Sequence, residues 1–152
     1  MKWLSIPGNS RYEIYELWNS KEKLLTMGHD PDKGTLRITA NNEKRFFSIG
    51  KKGFLRSRMV LRNEYGVTMG ELTFENAQAN QRRMEIHDEE FTSLAQNSLA
   101  PKVAIYRNNE MLTVCELPDA SKYHDLLTLM LCWHISTSIK KQVGSYPLEE
   151  YA

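Results

Sequence analysis

Seven basic residues and no acidic one fall between Lys44 and Arg62: Lys44, Arg45, Lys51, Lys52, Arg56, Arg58 and Arg62. The chain as a whole is nearly neutral, with 20 Lys and Arg against 19 Asp and Glu, so a net +1 is made of +7 on this run and −6 elsewhere. The balance conceals a dipole. Arg56, Arg58 and Arg62 share parity, so an extended strand projects them from one face, with Lys51 and Lys52 at the turn before it. Arginine offers a bidentate fork and lysine a point charge, and both hold phosphate or carboxylate. The expected binding set is Lys51, Lys52, Arg56, Arg58 and Arg62, and the expected partner is an anionic lipid headgroup or an acidic protein surface. The competing reading is a solvated strand whose cations pair with neighbouring acids such as Glu71 and Glu75.

Other chemistry finds less support. Gly50-Lys51-Lys52-Gly53 matches the Gly-x-x-Gly loop that clamps nucleic-acid backbone, but that loop joins two helices, whereas strands flank it here and a hairpin turn fits better. A net +1 supplies no global basic field, so nucleic acid is not an expected partner. His29-Asp30-Pro31-Asp32 and His87-Asp88-Glu89-Glu90 hold ligand-type residues without helical spacing or a matched second cluster, and read as polar turns; no metal or cofactor is expected. His134 lies within an apolar run and reads as a hydrogen-bonded core histidine. There is no Gly-x-Ser-x-Gly elbow, dinucleotide fingerprint or P-loop. The two cysteines, Cys115 and Cys132, form no Cys-x-x-Cys pair and read as buried thiols of a reduced compartment. Met1 to Gly8 is too short in apolar residues for a signal peptide, which places the chain in the cytoplasm.

These residues must be positioned by strands. With 152 residues, 41% hydrophobic and 26% charged, the chain suits one globular domain over 1–152 and not a disordered or fibrous chain. From about residue 10 to 117 the pattern has period two. Tyr12, Ile14 and Trp18 oppose Glu13 and Tyr15; Leu36, Ile38 and Ala40 oppose Arg37 and Thr39. Further strands are expected at Arg45–Ile49, Phe54–Asn63, Val67–Phe74, around Met84 and Ile86, at Phe91–Leu94, at Lys102–Tyr106 and at Met111–Leu117. Turns are expected at His29–Gly34, Asn41-Asn42, Gly50–Gly53, Asn63–Gly66 and Asn108-Asn109. Nine or ten strands at this spacing, without crossover helices, make an antiparallel meander.

After Pro118 the character changes. Asp119 or Ser121 caps a helix predicted over about 121–142, with Lys140 and Lys141 on its last turn and Gly144 beyond it. Leu126 to Ile135 is apolar on every side, and a helix hydrophobic all round is buried all round. Ten apolar residues fall short of the ~20 that a membrane span needs. The remaining solution is a sheet wrapped around the helix: a closed antiparallel β-barrel of about nine to twelve strands, too wide for strand side chains alone to fill, enclosing the hydrophobic helix.

The run Arg45-Phe46-Phe47-Ser48-Ile49-Gly50, the stretch from Arg58 to Leu72 and the helix from Asp125 to Ile135 give the chain a resemblance to the tubby C-terminal-like superfamily. That superfamily includes tubby-like proteins, the LURP-one-related proteins and the phospholipid scramblases. The resemblance implies a closed barrel threaded by a C-terminal hydrophobic helix, and phosphoinositide headgroups as ligands of basic barrel residues. Together with the basic run it favours a non-enzymatic binding or adaptor domain, cytoplasmic and peripheral to a membrane. The alternative is a small-molecule binder or enzyme with its site at the barrel mouth.

Overall fold

Alternating apolar and polar residues, interrupted by Asn, Asp and Gly at turns, become eleven strands followed by one helix among the described residues. The computed structural model describes residues 1–8, 11–52, 58–76, 80–96, 99–118 and 123–145. In chain order the elements are β1 (Lys2–Ile6), β2 (Glu13–Trp18), β3 (Lys23–Asp30), β4 (Thr35–Ala40), β5 (Glu43–Lys52), β6 (Arg58–Asn63), β7 (Thr68–Asn76), β8 (Gln81–Ile86), β9 (Glu89–Gln96), β10 (Lys102–Arg107), β11 (Glu110–Glu116) and α1 (His124–Ser145). Each strand pairs with the next, and β1 against β11 closes the barrel. Eleven is an odd number, so an up-and-down meander must bring its first and last strands together running the same way. The seam is accordingly parallel, the one departure from the antiparallel expectation. It has a single ladder pair, Lys2 with Glu116, and the Glu116 amide donates to the Met1 carbonyl at 2.9 Å.

Three hairpin turns explain the tight succession of strands. Asn41-Asn42 (φ 51° and 63°), His87-Asp88 (51° and 64°) and Asn108-Asn109 (51° and 63°) each place two residues in the left-handed region, as a type I′ turn requires. Asn and Asp tolerate that region better than other side chains. Gly34, at φ 62°, is held more tightly still. A Cβ there would sit 2.8 Å from the Ile49 carbonyl oxygen, so only glycine fits.

Inward-facing residues of the strands meet α1 in one core. Leu17, Met27, Ile38, Phe47, Leu61, Met84, Phe91 and Ile105 from eight strands join Leu127, Leu129, Met130 and Leu131 of the helix, all 2% exposed or less. From Leu126 to Trp133 no helical residue is more than 7% exposed. At about 100° per residue these eight cover every direction around the helix axis, so the helix is enclosed. Cys115 and Cys132 are free and buried, and burial pushes both thiols up, Cys115 to about 12. No helix among the described residues is long and apolar enough to cross a membrane.

Several local expectations are corrected. In β2 the inward residues are Tyr15 and Leu17, while Ile14 and Trp18 face outward, because the register with β1 and β3 places Leu17 opposite Trp3 and Leu25 in the core. The alternation within β2 alone left the sign of the face open. β1 and β3 were not foreseen: β1 is short, and β3 carries Gly28 outward and His29 inward, which blurs its alternation. Gly50, Lys51 and Lys52 belong to β5 and not to a turn. The helix runs through Gly144 instead of stopping before it. Asp119 and Ser121, the expected caps, lie outside the described residues.

Candidate functional site

The ladder between β5 and β6 decides where the basic run points. Lys52 pairs with Arg58, Lys51 with Met59, Gly50 with Val60, Ile49 with Leu61 and Ser48 with Arg62. Leu61 is in the core, so Arg58 and Arg62 both point outward, as their shared parity predicts. Lys51 has the parity of Met59 and Leu61, opposite to Arg58 and Arg62. It is exposed at the strand's end. Along the ladder it is Lys52, and not Lys51, that pairs with Arg58. Arg56 falls outside the described residues.

The environments of these cations differ. The Arg58 guanidinium stands 3.8 Å from Glu71 across the β6–β7 ladder. This is the neighbour pairing expected of a solvated strand. Arg62 lies over Gly50, its Nη1 3.5 Å from where a Cβ would be, and among the described residues no carboxylate is within 4 Å of it. Arg45 is neutralised: its Nε donates to Glu64 Oε1 at 3.0 Å and its guanidinium lies 5.5 Å from the Phe47 ring centre. The Glu64 carboxyl is held below its usual range, chiefly by its own backbone amide, with Arg45 and the Phe46 amide adding to the effect against the opposing cost of desolvation.

Next to this strip the outer surface is hollowed. Across β2 to β5 one outward row reads Ile14, Gly28, Arg37, Phe46, and the neighbouring row includes Asp30, Thr35 and Ser48. Ile14 and Phe46 stand at the two ends, and Gly28, Thr35 and Ser48 leave space around Arg37 between them. The result is a trough of about 830 Å³ on the convex side of the barrel, walled by Tyr12 and Ile14 on one side and Phe46 on the other. Tyr12 is 48% exposed and Phe46 53%. The β6–β7 turn beside it also exposes Tyr65 and Val67. Arg37 and Lys33 line the trough, and neither has a carboxylate within 4 Å among the described residues.

His29 and Asp30 are consecutive strand residues and so face opposite ways. His29 points inward, where Nδ1 is 3.0 Å from Glu13 Oε2 and the ring packs on Tyr123. Asp30 points outward and its Oδ1 accepts from the amides of Asp32 and Lys33, closing the β3–β4 turn. No group of three His, Cys, Asp or Glu able to hold a metal occurs among the described residues. At one end of the barrel, a cavity of about 120 Å³ is bordered by Arg45, Trp133 and His134, and the helix fills the interior below it. That volume is well below the ~300 Å³ of a typical small-molecule site.

Arg37, Lys33 and Tyr12 were not singled out from the sequence. Arg37 reads there as one more outward polar residue, and the signal that marks it, small outward residues on the flanking strands, exists only once register is known. Comparison with protein-family models, with curated proteins and with solved structures finds no match.

Proposed function

We propose that the chain is a non-enzymatic, tubby-like binding domain that docks on an anionic phospholipid surface through the outward face of β5 and β6. The observation that supports this most is Arg62, held over Gly50 without a carboxylate partner, one strand from exposed Phe46 and next to the Tyr65–Val67 turn. Cations that lack acids, flanked by exposed aromatic and aliphatic side chains, suit a membrane interface, where aromatic rings lie at headgroup level and each basic residue adds about 1 kcal/mol. Arg58 contributes less while Glu71 is beside it, and gains when phosphates compete for its guanidinium. The cavity at the end of the barrel near residues 41–45, about 120 Å³, gives a site there less support than this face has.

Vesicle sedimentation tests the reading. Vesicles of phosphatidylcholine with phosphatidylserine or a phosphoinositide should carry the protein down at roughly 0.05 M salt and release it near 0.3 M, because exposed charges are screened beyond about 10 Å. Reversing two charges, in Arg58→Glu with Arg62→Glu, should weaken binding at least ~10-fold. Equal sedimentation with pure phosphatidylcholine, or an unchanged double variant, would remove the proposal.

A further inference from the structure

The trough carries an inference of its own, although it shares Phe46 with the docking face. A convex barrel wall normally presents continuous side chains. Here Gly28 supplies none, Thr35 and Ser48 supply short ones, and Ile14, Tyr12 and Phe46 stand up around them. A volume of about 830 Å³ falls within the ~300 to 1,000 Å³ of small-molecule sites. Its walls are largely apolar, and Glu64, which also lines it, is engaged by Arg45 and the Phe46 amide. Arg37 and Lys33 have no carboxylate within 4 Å among the described residues, and Arg37 extends its Nη2 to 4.0 Å from the position of a Gly28 Cβ, filling part of the glycine's space. Asp30 adds a second signal. It is 1% exposed and lines the trough, and its Oδ2 is buried without a hydrogen bond, its nearest cation being Arg11 at 3.9 Å. A buried carboxylate oxygen without a donor is costly.

We infer that the trough between β2 and β5 binds a single-chain amphiphilic anion, a carboxylate or phosphate monoester on a flexible apolar chain. The anionic head engages Arg37 and Lys33, and the chain lies along Ile14 and Gly28 between Tyr12 and Phe46. A hydroxyl or ammonium on the head completes the hydrogen bonding of Asp30 Oδ2. Neither half of such a ligand suffices alone. The apolar walls give no grip on a free phosphate, and an alcohol offers the guanidinium no anionic partner. The anion has a bidentate donor in Arg37 and a point charge in Lys33.

Calorimetric titration of the intact chain with decyl phosphate, kept below its micelle concentration, tests the inference. Saturable one-to-one binding is expected, with a negative heat-capacity change that reports apolar burial. Decanol and inorganic phosphate should each bind at least ~10-fold more weakly, since an ion-paired hydrogen bond and a buried chain each contribute more than one decade. Decanoate distinguishes the carboxylate source of the head from the phosphate source; weak binding of both decanoate and decyl phosphate overturns the inference. Arg37→Gln should weaken decyl phosphate ~10-fold or more, and Phe46→Ser similarly; both side chains face solvent, so the fold is retained. Inorganic phosphate binding as tightly as decyl phosphate would contradict the trough's role, as would Arg37→Gln leaving affinity unchanged. Arg58→Glu with Arg62→Glu should leave decyl phosphate binding intact, which separates failure of this site from failure of membrane docking.

Discussion

Leu129→Asp should yield a chain with no cooperative thermal transition and no near-ultraviolet circular dichroism. Leu129 is fully buried between the helix and the barrel wall. Its loss alone removes ~2 to 5 kcal/mol, and a carboxylate without a partner adds several more, against a total stability of about 5 to 15 kcal/mol. Leu127→Asp should do the same, although Leu127 lies about 200° around the helix from Leu129. The pair of variants is the informative comparison. A helix lying on a surface would tolerate an acid on its outer side, so a folded protein from either variant would show that the helix is not enclosed.

Arg82→Met should cost about 2 to 3 kcal/mol near neutral pH, read as a lowered urea midpoint; this is less than the ~3 to 5 of a fully buried pair because the acid is partly exposed. Arg82 enters the barrel from β8 with Met84 and Ile86, and its Nε donates to Asp125 Oδ1 at 3.1 Å on the first turn of the helix. His124 Nε2 approaches the same oxygen at 2.9 Å. Removing the guanidinium leaves the carboxylate, 23% exposed, poorly compensated. Asp125→Asn added to Arg82→Met should recover much of the loss, since neither charge then remains. The pair also sets a pH dependence. Burial alone would raise the Asp125 carboxyl, but His124 and Arg82 outweigh it and hold the group below its ordinary value. A depressed carboxyl stabilises the fold fully above the ordinary aspartate value of ~4 and loses that contribution as pH falls through the folded value. Acid unfolding of Arg82→Met should therefore be shallower in this range than that of the parent.

The barrel and its central helix were legible because both rest on one-dimensional patterns. Leu36 and Ile38 alternate with Arg37, and Met84 and Ile86 with Arg83. Leu126 to Ile135 carries no polar stripe, which leaves enclosure as the only way to bury it. What stayed illegible depends on pairing between strands. The inward sense of β2 follows from Leu17 meeting Trp3 and Leu25, and nothing within Tyr12 to Trp18 states it. Lys51 and Lys52 read as a turn because glycines flank them, yet the ladder carries both into β5. Arg82 shares the parity of Met84 and Ile86, and only the position of Asp125 at the helix start explains the burial of its charge. The same holds for the site. Arg58 and Arg62 were found by parity within one strand. Arg37 and Phe46 become members of a trough only when Gly28 and Ser48 are placed beside them by register.

Hydrogen–deuterium exchange of the intact chain, with and without phosphatidylserine vesicles, tests the central claim most directly: a sealed barrel that meets an anionic surface with one outward face. The account predicts slow exchange throughout residues 126–133 in both states, and new protection on vesicle binding confined to residues 43–52, 58–63 and the turn at 64–67. Protection appearing instead across β8 to β10, or rapid exchange within residues 126–133, would contradict it.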